Sequence, residues 1–141
     1  MEGEDIRWKQ RFRNFNKSLE LLESALNIEQ PDVVQKAGIV QFFEMCCELS
    51  WKVMKDYLED QGFTEIGTPR NAIKKSFEIG LIEDGHAWMD LLVDRNLSVH
   101  TYDEEKANSL DLLIRTKYFP LFQKLKINVS ENIPHPTYSD N

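Results

Sequence analysis

Arg95, His100 and Tyr102 stand in an R-x4-H-x-Y spacing within the run Arg95-Asn96-Leu97-Ser98-Val99-His100-Thr101-Tyr102. An arginine is charged at every working pH, and its planar fork grips phosphate through two parallel hydrogen bonds. An imidazole can take and give a proton near neutrality. Together they suit a site that handles a phosphodiester or a nucleotide. His100 could act as general base on a ribose 2′-hydroxyl, or as general acid toward a 5′-oxygen leaving group. Arg95 could stabilise the charge that develops on the phosphorane. Asn96 could donate to phosphate or orient Arg95, and Tyr102 could position phosphate or be a modified hydroxyl. None of these steps requires a metal. One histidine cannot readily do both proton transfers, so two copies facing each other in a symmetric dimer make better chemical sense. Short spacings also arise by chance. A helix-end cation and a capping histidine would explain Arg95 and His100 without any chemistry.

The elements around this run are legible from periodicity. Trp8, Phe12, Phe15, Leu19, Leu22 and Leu26 recur three and four apart, which predicts a helix over about 6–28. Gln30-Pro31-Asp32 breaks it, and a second helix is expected from about Asp32 to Gln61, with Gly62 as its stop. Its apolar surface is wide enough to need neighbours on several sides. Thr68 as cap, Pro69 at the first position and Gly80 at the end delimit a short third helix. A fourth begins near Asp84 or Gly85 and carries Trp88, Leu91 and Leu92. The R-x4-H-x-Y run follows it. Thr101 and Glu104 have capping-box spacing, with Asp103 as a competing cap, ahead of a fifth helix to about Leu125. Pro120 should kink or divide that helix. Residues 128–141, which include Pro134-His135-Pro136, are expected to form a flexible tail. The fold class is therefore all-α: a four-helix up-and-down bundle with a short additional helix, forming one domain over 1–127.

Composition narrows the function. The chain has 141 residues, enough for one domain with its own core. A net charge of −7 opposes non-specific binding to nucleic acid, so RNA would have to meet a local basic patch or a partner. The acidic start, Met1-Glu2-Gly3-Glu4-Asp5, is not that of a signal peptide, and no apolar run approaches the length of a membrane span. Cys46 and Cys47 are adjacent, a poor arrangement for a disulfide within a helix. A cytoplasmic protein is expected.

Other constellations are weaker. His86, His100 and His135 lie far apart, and no HExxH or paired-cysteine spacing is present, so neither a metal nor another cofactor is expected. The two cysteines suit a core better than a nucleophile. Glu44, Glu48 and Lys52 form an i,i+4 row. A carboxylate of that row could pair with Arg95 across the bundle, while Asp90 and Asp94 should meet nearby cations. There is no glycine-rich phosphate loop, so the chain does not look like a nucleotidyltransferase itself.

Three blocks resemble the nucleotidyltransferase substrate-binding protein family, a branch of the HEPN superfamily close to the HepT-type toxins. They are Phe43-Glu44 with Glu48-Leu49-Ser50-Trp51-Lys52; Thr68-Pro69-Arg70 with Gly80-Leu81-Ile82; and Trp88 through Asp94-Arg95-Asn96 to His100-Thr101-Tyr102-Asp103. The resemblance spans roughly Arg11 to Leu125, with Ser50 where many relatives have alanine. It implies a homodimeric bundle and a separate small nucleotidyltransferase as partner. In one form of that pair the helical subunit is a metal-independent endoribonuclease toxin, and its partner is an antitoxin that adds AMP to the motif tyrosine. Carried over, Arg95 and His100 would be catalytic, Asn96 would assist and Tyr102 would accept AMP. In the other form this subunit only binds nucleotide or another substrate for the nucleotidyltransferase. Glu44, Glu48 and Lys52 would then line or support the binding groove.

Overall fold

In the computed structural model, residues 2–132 are described, with side chains from Arg7 onward. The chain forms α1 (Glu2–Leu26), α2 (Val33–Asp60), α3 (Pro69–Glu78) and α4 (Gly85–Asp94). A 3₁₀ turn (Arg95–His100), α5 (Glu104–Leu113), a π turn (Ile114–Tyr118) and α6 (Phe119–Asn132) complete it. Among the described residues there is no strand. The all-α bundle expected from periodicity is the architecture observed.

Local chemistry sets the boundaries. Asp32 accepts from the Gln35 amide at 2.8 Å, and Gln35 Oε1 accepts from the Asp32 amide at 2.9 Å, so a reciprocal capping box starts α2. Removing it with Asp32→Ala should cost about 1 kcal/mol, measurable by urea unfolding with an unchanged m value. An unchanged midpoint would show that the cap contributes nothing. Thr68 caps α3 through the Asn71 amide, with Pro69 at the first helical position. Gly62 and Gly80, at φ +95 and +84, end α2 and α3. In each case the next residue's amide reaches back to a carbonyl in the last turn: Phe63 to Leu58 at 3.0 Å, and Leu81 to Ser76 at 2.9 Å. Both ends therefore need the left-handed conformation that glycine adopts without penalty. Of the two possible caps ahead of α5, Asp103 is used: its carboxylate accepts from the Glu105 and Lys106 amides.

α1 packs along α2, and α6 closes the bundle against both. Aromatic rings form its centre. Phe122 meets Phe15, Phe43 and Trp88 at centroid distances of 6.3, 6.2 and 5.9 Å, tying α6 to α1, α2 and α4. Polar links cross the same seams. Ser18 Oγ lies 3.4 Å from Cys46 Sγ, and Arg115 Nη1 donates to the Leu26 carbonyl at 2.9 Å, satisfying an orphan acceptor at the end of α1. Asn128 Nδ2 donates to the Leu81 carbonyl at 3.0 Å.

The last helix differs from expectation in two ways. Pro120 does not break it, because the turn just before is widened: the Phe119 amide bonds to Ile114, five residues back. Such a π turn reroutes the ladder where proline has no N–H to give. The helix also continues to Asn132, with Val129 fully buried. Residues 128–132, assigned above to the tail, therefore belong to the bundle. The apolar side chain at Val129 continues the buried stripe of Phe122 and Leu125, and that burial holds the final turns. The rest of the expected tail, including His135, lies outside the described residues.

Candidate functional site

The R-x4-H-x-Y run sits where α4 tightens into the 3₁₀ turn. Arg95, the C-cap of α4, keeps helical dihedrals (φ −59, ψ −23) and opens the turn; His100 closes it. A 3₁₀ helix rises about 2 Å per residue with about three residues per turn. Arg95 and His100 are thus about 10 Å apart along the turn and about 120° apart around it. The residues fall into two groups accordingly.

At the Arg95 end, Arg95, Asn96, Ser98 and Val99 form one wall of a hollow of about 270 Å³. Glu44, Cys47 and Glu48 of α2 form the other wall. The expected Arg95–carboxylate pair is replaced by a closer one. Glu48 is held by Lys52 at 2.8 Å, one turn along the same helix, and Trp51 Nε1 donates to it at 3.4 Å. Lys52, then Trp51 and at longer range Arg95, hold the Glu48 carboxyl below its usual range against the effect of burial. Among the described residues Arg95 makes no ion pair, so its guanidinium remains available to an incoming anion. Of the row expected to line or support a groove, Glu44 and Glu48 share the hollow with Arg95, while Lys52 pairs with Glu48 and is not among the lining residues.

At the other end, His100 Nδ1 lies 3.4 Å from the Tyr102 hydroxyl, and the rings meet edge to face at 5.9 Å. Tyr102 is 84% exposed, so its phenol is open to a modifying or binding partner. It stands at the rim of a second, larger groove of about 500 Å³ between the start of α2 and α5, walled by Val33, Ala37, Val40 and Ala107. His86 is exposed on α4, apart from both groups.

Both cysteines are buried thiols. Burial pushes Cys46 up to about 11 and pushes Cys47 up as well, so neither is a thiolate nucleophile near neutrality. Among the described residues, no group of three or more His, Cys, Asp or Glu converges as a metal site. No helix among them is long and apolar enough to cross a membrane.

Two anchors of the turn escaped sequence reasoning in part. Asp90 and Asp94 were assigned to nearby cations. Asp90 does pair with Lys117, at 2.8 Å, but Asp94 accepts from the Tyr118 hydroxyl at 2.5 Å. Tyr118 is a fully buried residue whose hydroxyl needs an acceptor within the packed bundle. A buried phenol next to an aspartate pair one turn apart was the available signal.

An all-helical bundle with an arginine, histidine and tyrosine on one connecting turn is the class of protein that fold and site define. The chain matches the family described as nucleotidyltransferase substrate binding protein like over residues 10–131, and it belongs to that family. A relative from Haemophilus influenzae named probable ribonuclease HepT is 35% identical over 101 residues, covering 63% of this chain and 69% of the relative. A crystal structure from Thermus thermophilus superposes with a TM-score of 0.68 at 28% identity, covering 83% of this chain and 96% of that one. A second, from Haemophilus influenzae, is described as revealing the fold of a substrate binding domain of a nucleotidyltransferase. It superposes at 0.58 with 25% identity, covering 87% of this chain and 96% of that one.

Proposed function

We propose that this chain is the HEPN-type subunit of a two-component nucleotidyltransferase system: a metal-independent endoribonuclease toxin, silenced when a partner minimal nucleotidyltransferase transfers AMP to Tyr102. The observation that carries the reading is the His100–Tyr102 contact at 3.4 Å with Tyr102 exposed, at the far end of one short turn from an unpaired Arg95. The family and the relative named as a ribonuclease support it.

His100 removes the proton of a ribose 2′-hydroxyl, and that oxygen attacks the adjacent phosphorus. Arg95, with Asn96, takes up the charge gathering on the phosphoryl oxygens. The P–O5′ bond breaks and the leaving oxygen is protonated, giving a 2′,3′-cyclic phosphate and a free 5′-hydroxyl. Arg95 and His100 of one turn lie on different faces, so a homodimer that opposes two turns assembles the site and supplies a histidine for each proton transfer. Exposed Val99 on the turn, with exposed Val33 on the groove wall, offers apolar surface for that contact. In the control step, the Tyr102 oxygen forms a bond to the α-phosphorus of a nucleoside triphosphate. Pyrophosphate leaves and the phenolic proton goes to the partner's base or to solvent. The attached AMP places bulk and negative charge against His100, where RNA phosphate must bind. Two buried free thiols suit the cytoplasm, where they stay reduced.

The test is incubation of the purified protein with total transfer RNA and messenger RNA in EDTA, beside Arg95→Ala. The wild type should cut, and the variant should cut about 100- to 1,000-fold more slowly. Equal cutting by both would defeat the assignment.

One observation favours a second reading, a non-catalytic substrate-binding subunit. The Arg95 hollow, with Asn96 and the Glu44–Glu48 wall, is a small polar recess that does not include His100. Nucleotide binding without any cleavage by folded, unmodified protein would select it.

A further inference from the structure

The two last residues of the π turn both grip α4. Lys117 Nζ donates to Asp90 Oδ2 at 2.8 Å, and the Tyr118 hydroxyl donates to Asp94 Oδ2 at 2.5 Å. Asp90 and Asp94 are one turn apart, so a single face of α4 is held at two points. Tyr118 itself is rigidly seated: its ring is buried and lies 6.1 Å from Phe43 of α2. Asp94 immediately precedes Arg95 and occupies the N-cap position of the 3₁₀ turn, yet its side chain makes no capping bond to the turn. Its carboxylate is committed to Tyr118 instead. The path is then short: the π turn before Pro120 carries Tyr118, Tyr118 holds Asp94, and Asp94 adjoins Arg95 in the backbone.

We propose that the π turn is a clamp on the candidate site, with Tyr118 and Asp94 as positioning residues that hold Arg95 and the turn behind it in register. The consequence for cleavage rests on the ribonuclease reading above; the clamp itself does not. A hydrogen bond to a charged acceptor in a partly buried seam is among the stronger kinds. Small displacements of a charge-stabilising group are costly to rate.

The test compares Tyr118→Phe, Asp94→Ala, the double variant and Asp94→Asn by amide hydrogen exchange and by RNA cleavage. Phenylalanine keeps the buried ring, and asparagine keeps an acceptor for the phenol. Tyr118→Phe and Asp94→Ala should each speed exchange across residues 95–100 about tenfold, with amides in α1 and α2 unchanged. The double variant should be no worse than either, because both remove one interaction. Asp94→Asn, which keeps an acceptor but not its charge, should speed exchange less than Asp94→Ala does. Turnover should fall about tenfold in the first two variants, with KM nearly constant. Unchanged exchange across 95–100, a uniform rise through the whole protein, or additive losses would each overturn the clamp. If the wild type cuts no RNA, the ribonuclease reading falls, and the exchange data alone decide the clamp.

Discussion

RNA cleavage by His100→Ala should fall by about 100- to 10,000-fold, the range expected when a positioned general acid–base group is removed. The melting temperature should barely move. His100 is only half-buried, and among the described residues its ring's one polar contact is with the exposed Tyr102, so the fold loses little when the ring goes. The variant also tests the dimer. If each site needs a histidine from both copies, a dimer with one altered copy is inactive. Equal amounts of wild type and His100→Ala, allowed to exchange subunits, should then retain about one quarter of the all-wild-type activity at the same total concentration. A mixture that retains one half would mean that each copy works alone. Undiminished cleavage by His100→Ala would remove the histidine from the mechanism altogether.

The helices were legible because their physics is local. The stripe from Trp8 to Leu26, the break at Gln30-Pro31-Asp32, the Thr68-Pro69 start and the Gly80 stop are all written within a few residues of where they act. The end of the last helix was less so. Val129 is fully buried within the common core, and a short polar stretch around it masks one deeply placed valine. Pro120 announced a disturbance but not its kind, since a kink, a break and a π turn all answer a missing N–H. The site was legible as a motif but not as a geometry. R-x4-H gives the two residues; only the 3₁₀ conformation separates them into an Arg95 hollow and a His100–Tyr102 pair. The partners of Glu48 and Asp94 were likewise hidden. Choosing Lys52 over Arg95, and Tyr118 over a cation, depends on side-chain reach in the packed bundle.

Phe122→Ala should destabilise the protein by about 3–5 kcal/mol, the cost of truncating a fully buried aromatic ring. Phe122 has no exposed surface and, among the described residues, is the one ring that touches aromatic neighbours on three other helices: Phe15 on α1, Phe43 on α2 and Trp88 on α4. Removing it leaves a cavity that none of these helices can close without abandoning another contact, since each is pinned elsewhere. Ser18 lies against Cys46 between α1 and α2, and α4 is held by Lys117 and Tyr118. Urea unfolding should show the loss as a lower midpoint at constant m value. A change below about 1 kcal/mol would mean that the core collapses easily around the gap. The same ring supports the site. Phe43 contacts both Phe122 and Tyr118, so loosening Phe122 frees the surface on which the Tyr118–Asp94 contact rests. Below its own unfolding midpoint, Phe122→Ala should therefore also exchange amides faster across residues 95–100 than the wild type does. Phe12→Ala, one turn before Phe15 on α1, where its ring meets Trp8 rather than Phe122, should lower stability without that local signature. Equal acceleration of the turn in both variants would break the proposed link between the aromatic core and the placement of Arg95.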